Sequence, residues 1–162
     1  MKKGHVVQLN MNEVQYAVCV GVRRRMESLK NGYQELRGIA EKSAAVQWHA
    51  NVIGAIAEFA FAKGAGLHWP ATVNADKNEP DVPPDWQVRW RGVPFGELIV
   101  RPDDSPNCRY AMMTGDNATF TFRGWMLGSE AMKYKLEDRY DRKEPAHWVP
   151  QGALLSMSKN EP

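Results

Sequence analysis

Val52-Ile-Gly-Ala-Ile-Ala-Glu-Phe-Ala-Phe-Ala62 carries one charge, Glu58, among side chains that are otherwise apolar or small. A helix that is apolar on every side is a buried helix. A carboxylate inside such a helix is strongly penalised unless it is paired, protonated or bound to a metal. On a helical wheel Asn51, Gly54, Ala62 and Ala65 fall within about 40° of Glu58. Its stripe is therefore made of small and polar side chains that leave room for a partner. Two readings stay open at this point: a glutamate paired with a buried arginine, or a carboxylate presented into a cleft for metal ligation or acid–base chemistry.

The same stretch sets the elements on either side. Ser43 is placed to cap a helix that runs to Gly64 or Gly66, where the glycines supply a stop. His49 lies on the opposite face from Glu58 and reads as a surface or packing histidine. Upstream, Asn12 or Glu13 opens an earlier helix through about Lys30, with Val14, Ala17, Val18 and Gly21-Val22 at helical spacing. Arg23-Arg24-Arg25 on its far half reads as a solvated helix end, well placed near the C-terminal dipole, with phosphate contact as the competing reading. Residues 33–42 are polar and expected to form a short helix or loop.

Downstream, residues 68–85 hold four prolines and several turn formers, after which the pattern changes from helical to alternating. Trp86-Gln-Val-Arg-Trp-Arg91 places Trp86, Val88 and Trp90 on one strand face and Gln87, Arg89 and Arg91 on the other. Gly92-Val-Pro-Phe-Gly96 is a turn. Leu98–Arg101, Tyr110–Thr114 and Thr119–Arg123 read as further strands of the same sheet, the last two joined by Gly115-Asp-Asn117 as an antiparallel hairpin. A short charged helix is expected from Gly128 to about Tyr140, a final strand at His147–Val149, and a fraying tail over Ser156–Pro162. The order of elements points to an α/β fold of the mixed α+β kind, a sheet of about four strands flanked by helices. With 162 residues, a single domain is expected, its helical part at about 12–66 and its sheet part at about 80–155.

Composition narrows the function classes without choosing one. The net charge of +2 is too mild to announce nucleic-acid binding and does not forbid it, because local patches matter more than the sum. Cys19 and Cys108 are far apart and belong to no Cys/His spacing, which argues against a zinc site or a disulfide framework. The segment after Met1-Lys2-Lys3 is too polar for a signal-peptide core, and no apolar run reaches membrane-spanning length. A cytoplasmic protein with no membrane partner is the expectation.

Three features carry chemistry: Glu58 on the apolar helix, Pro80-Asp81 ahead of a strand, and Gln87-Val88-Arg89 with its two polar side chains on one face. In this order they resemble the PD-(D/E)XK nuclease superfamily, the restriction-endonuclease-like fold. There a helix Glu, an Asp near one strand, and an acidic residue and Lys on the next strand surround one or two Mg²⁺ ions. From about Glu13 to about Leu155 the chain also resembles a group of phage-encoded proteins of uncharacterised function. The matching stretches are Gly54–Glu58, Pro80–Val82, Gln87–Arg89, Leu98–Pro102, Gly124-Trp125 and Val149–Gln151.

The resemblance implies Mg²⁺-dependent (or Mn²⁺-dependent) hydrolysis of DNA phosphodiesters, with Glu58, Asp81 and Gln87 as metal ligands and Arg89 on the scissile phosphate. Two substitutions depart from the family pattern. Gln87 offers an uncharged oxygen where an acid is usual, which weakens a hard-cation site. Arg89 replaces Lys; it can grip a phosphate but cannot accept a proton. The alternative implied by the same resemblance is a degenerate member that binds nucleic acid or a protein, such as an inhibitor of a bacterial defence or host enzyme. Asp81 also reads as a turn residue between prolines, Gln87 and Arg89 as the solvated face of an edge strand, and Asp103-Asp104 as a strand-ending turn or a second acidic site.

Overall fold

Asn10 and Glu13 form a reciprocal capping box. The Glu13 N–H donates to Asn10 Oδ1 (3.0 Å) and the Asn10 N–H to Glu13 Oε2 (2.7 Å), which satisfies two of the amides a helix start leaves orphaned. Helix α1 accordingly begins at Met11, slightly earlier than its apolar periodicity suggests, and runs to Lys30. The second helix, α2, spans Ala44–Ala65. Ser43 sits at its N-cap position without a side-chain capping bond. Its other end closes as expected on Gly66, at φ 70°, with the Gly66 N–H on Lys63 O and the Leu67 N–H on Ala62 O. That is the glycine-dependent helix stop. The two helices cross so tightly at Gly21 that an added Cβ would lie 2.6 Å from Val52 Cα.

The computed structural model describes residues 1–32, 43–73, 79–139 and 144–158; the short element expected over residues 33–42 and the last residues of the tail lie outside them. The strands form two sheets. The first is a four-stranded mixed sheet in the order β1 (Val6–Gln8), β5 (Thr119–Leu127), β4 (Arg109–Asp116), β2 (Trp86–Arg91). Strands β4 and β5 pair antiparallel, as the Gly115–Asn117 connection requires, while β2 runs parallel to β4. The second sheet has the order β3 (Leu98–Val100), β7 (Ala146–Val149), β6 (Leu136–Glu137). The mixed α+β class and the four-stranded sheet flanked by helices are therefore as expected, but the membership differs. Leu98–Val100 leaves for the second sheet and the N-terminal β1 takes the fourth place. The charged helix expected from Gly128 is a short helix, α3 (Gly128–Ala131), and β6 follows it.

The second sheet explains a departure in burial. One face of the first sheet, with Trp86, Val88, Ala111, Met113, Phe120 and Phe122, packs into the core that α2 fills with Ile53, Ile56, Ala57 and Phe61. The other face, with Tyr110, Met112 and Met126, packs on Leu98, Val100 and Val149. Gln87 and Arg89, paired in register with Tyr110 and Met112, lie on this second covered side. Gln87 is 6% exposed, as buried as Val88 at 8%, so this is not a solvated face. Trp86, Phe120, Phe122 and Trp125 are buried aromatics of this fold, while Trp90 is half-buried.

Candidate functional site

Glu58 projects from the middle of α2 and is buried. Arg24 meets it end on. Arg24 Nη1 donates to Glu58 Oε1 (2.7 Å) and Nη2 to Oε2 (2.8 Å), and Trp69 Nε1 adds a bond to Oε2 (3.1 Å). The third arginine donor, Nε, bonds Thr72 O (2.8 Å), so one guanidinium ties α1, α2 and the segment after α2 together. The side chains of Arg24 and Glu58 are 19% and 9% exposed. Burial acts to lower the Arg24 pKa, but the Glu58 carboxylate outweighs it and the net shift is upward. The fork-to-fork geometry is the strong, charge-assisted kind. Of the two readings of Glu58, its hydrogen-bond partners correspond to the ion pair.

The arginine triplet is thereby divided. Arg23 is exposed, Arg24 is in the pair, and Arg25 is buried with Nη2 on Gln47 Oε1. The solvated helix end describes Arg23 alone. A sequence signal for this did exist. Arg24 lies seven residues after Ala17 and four after Val20, both buried, and so falls on the packed stripe of α1.

Asp81 stands at the free edge of β2, where its Oδ2 accepts the Val88 N–H (2.8 Å). The turn role weighed for it is thus an edge-capping one: the carboxylate takes a backbone donor that the edge strand would leave open. Burial first, and the Glu58 carboxylate second, push the Asp81 carboxyl up to about 7, against the Val88 N–H, Arg89 and Arg24, which act to lower it. Glu58 and Asp81 are thus in electrostatic reach of one another, with Arg24 acting on both.

Gln87 and Arg89 go elsewhere. Gln87 Nε2 donates to Glu79 O (2.9 Å), and Arg89 Nη2 donates to Asp104 Oδ2 (3.0 Å). The same Asp104 oxygen accepts the Arg101 N–H (2.9 Å), and Asp104 N–H bonds back to Arg101 O (3.1 Å). Asp104 therefore closes the strand-ending turn and serves as the counter-ion of Arg89. The Arg89 guanidinium also lies over the Tyr110 ring, 5.1 Å from its centroid. Two residues on, Arg91 reaches the Trp148 ring (5.8 Å), which Arg139 approaches too (4.7 Å). The side of β2 facing the second sheet is thus a series of arginines interleaved with aromatic rings.

The period of two that makes Gln87 and Arg89 neighbours also turns both away from α2, because Val88 between them fills the helix side. Glu58 and Asp81 act on one another electrostatically, whereas Gln87 and Arg89 lie on the other face of β2. A Mg²⁺ ion needs several oxygens around an open position. Here both Glu58 oxygens are held by Arg24, and the Gln87 amide is on the far side of the strand. Among the described residues no three His, Cys, Asp or Glu side chains converge as a metal-binding group. The residues as arranged do not fit the ion that the family resemblance implies.

Among the described residues no helix is long and apolar enough to cross a membrane. Cys19 and Cys108 are both free. No protein-family model, curated protein or solved structure matches the chain.

Proposed function

We propose that this chain is a catalytically degenerate protein of the PD-(D/E)XK-like, phage-encoded kind, which binds nucleic acid and does not hydrolyse it. The observation that carries this reading is the division of the four candidate residues. Metal-assisted phosphodiester hydrolysis needs carboxylates that converge on an exchangeable cation and activate a water. Glu58 is instead committed to Arg24, while Gln87 and Arg89 face the second sheet.

The nucleic-acid part is supported by the arginine-rich side of β2. Arg89, Arg91 and Arg139 lie against the buried rings of Tyr110 and Trp148, which hold the guanidinium groups at the rim of this side, a placement suited to phosphates and not to base stacking. Several of these cations have acidic partners, such as Asp104 for Arg89 and Glu97 and Glu137 for Arg139. Binding to a phosphate backbone would exchange those partners and should be weak and salt-sensitive. Anisotropy titrations of labelled single- and double-stranded DNA at low salt test this. Arg91→Ala/Arg139→Ala should weaken binding at least tenfold.

One observation favours a second reading, a protein-binding module such as an inhibitor of a defence or host enzyme. Phe95 is 82% exposed at the tip of the 92–96 turn. Gln151 Nε2 clamps that turn through Pro94 O and Gly96 O, both at 2.7 Å. A large apolar side chain on a braced turn suits insertion into a partner's pocket. Absence of DNA binding at low salt would move the assignment to this reading.

A further inference from the structure

Strand β2 ends on Arg91, and the chain turns through residues 92–96 before β3 opens at Leu98. The tip of this turn is Val93-Pro94-Phe95, with Val93 40% and Phe95 82% exposed. The backbone that carries the ring is fixed. The Gly96 N–H bonds Val93 O (3.2 Å), and Gln151 Nε2, just after β7, donates to both Pro94 O and Gly96 O (2.7 Å each). We propose that Phe95 is a stacking platform for an unpaired base, which makes single-stranded nucleic acid the substrate class of the arginine-lined side of β2. This rests on the nucleic-acid reading above and deepens it by naming the kind of strand.

The charges around the turn select this occupant. Arg91 packs against it, since a Cβ added at Gly96 would lie 3.2 Å from Arg91 Nε. Arg139 pairs with Glu97, the residue that follows the turn, and keeps 36% of its side chain exposed. Both guanidinium groups also lie on the Trp148 ring, at 5.8 and 4.7 Å, so one indole holds two cations beside the turn. Cations for the phosphates next to a ring that faces water are the means by which single strands are gripped, because every base has a π-face to offer. The rings of Tyr110 and Trp148 cannot take that part, being buried. In a duplex the base faces are already covered by their neighbours, which leaves a ring on a turn little to stack on. A protein pocket would use the apolar tip without the two arginines, and is the alternative outcome of the test.

The experiment separates base from backbone. Labelled oligothymidine, an abasic strand of the same length and phosphate count, and oligothymidine paired with its complement are titrated by anisotropy at low salt. Wild type should bind oligothymidine on the order of tenfold tighter than the abasic strand. Phe95→Ala, and Phe95→Leu as an apolar change without a ring, should bring that ratio down toward one. Arg91→Ala/Arg139→Ala should instead weaken both strands alike. The loss caused by Phe95→Ala should be larger for the single strand than for the duplex. Phe95 lies on the surface, so its variants should melt with wild type. Oligouridine run beside oligothymidine assigns the strand as RNA or DNA, by the larger gain that depends on Phe95. A wild-type ratio near one for both strands, a ratio that Phe95→Ala does not lower, or equal losses on single strand and duplex would overturn the proposal and leave the nucleic-acid reading standing. Failure of every probe to bind would overturn both and give Phe95 to a protein pocket, so the two failures are distinguishable.

Discussion

Arg24 and Glu58 approach one another as two forks, with paired bonds of 2.7 and 2.8 Å between α1 and α2. Everything inferred about the candidate site follows from this contact, because it decides what the lone carboxylate of the apolar helix is for.

The pair should behave as a buried one. Glu58→Gln or Arg24→Met alone leaves an uncompensated group, at a cost of about 3–5 kcal/mol in urea unfolding. The double change to apolar residues should cost clearly less than the sum of the singles, a coupling read from a double-mutant cycle. Additive effects would mean that the pair is not a unit.

Asp81 should give stability a pH dependence of definite sign. Its folded pKa, about 7, lies above the ordinary unfolded value of about 3.9, so the fold prefers its protonated form. The stabilising contribution is complete below about pH 4 and is lost as pH rises through about 7. Asp81→Asn, which keeps an acceptor for the Val88 N–H, should flatten the stability profile across that window. A profile identical to wild type would contradict the assignment.

The crossing of the first two helices should tolerate no side chain at Gly21. An alanine Cβ there would meet Val52 Cα at 2.6 Å and Asn51 O at 2.7 Å, backbone atoms that cannot swing aside. Gly21→Ala should destabilise by about 1–3 kcal/mol. Gly54→Ala, where nothing lies within 4 Å, should be neutral or stabilise by up to about 1 kcal/mol. Thermal melts of the two variants should move in opposite directions or differ by several degrees.

Placing an acid at Gln87 should not create a metal site. Gln87 points to the second sheet and bonds Glu79 O, so Gln87→Glu adds a carboxylate on the wrong side of β2. Calorimetry should detect no tightening of Mg²⁺ binding. A gain would mean that Gln87 reaches the Glu58 side.

Much of this architecture was legible in the sequence because period and punctuation agreed. The Val52–Ala62 run, the Gly66 stop and the Gly115–Asn117 connection each tie a residue type to a local geometry. The second sheet was not legible, since Leu98-Ile-Val100 is a buried strand whichever sheet it joins. That one omission made Gln87 and Arg89 look solvent-facing. The candidate site was half readable. Glu58 stands out as the sole charge of the Val52–Ala62 run, and a buried pair and a presented carboxylate are both open to it from the sequence. Its partner Arg24 is masked in the sequence by its two arginine neighbours, although successive helical residues point about 100° apart. No pattern in sequence could place Asp104 beside Arg89, a contact made by a turn fifteen positions away.

The most direct test of the central claim is a single mixture of wild-type protein and end-labelled DNA, with Mg²⁺, with Mn²⁺ and with chelator, followed by anisotropy and by denaturing gel. The account predicts binding that survives chelation and DNA that stays intact in every lane. Metal-dependent cleavage by wild type that Glu58→Gln abolishes would contradict it.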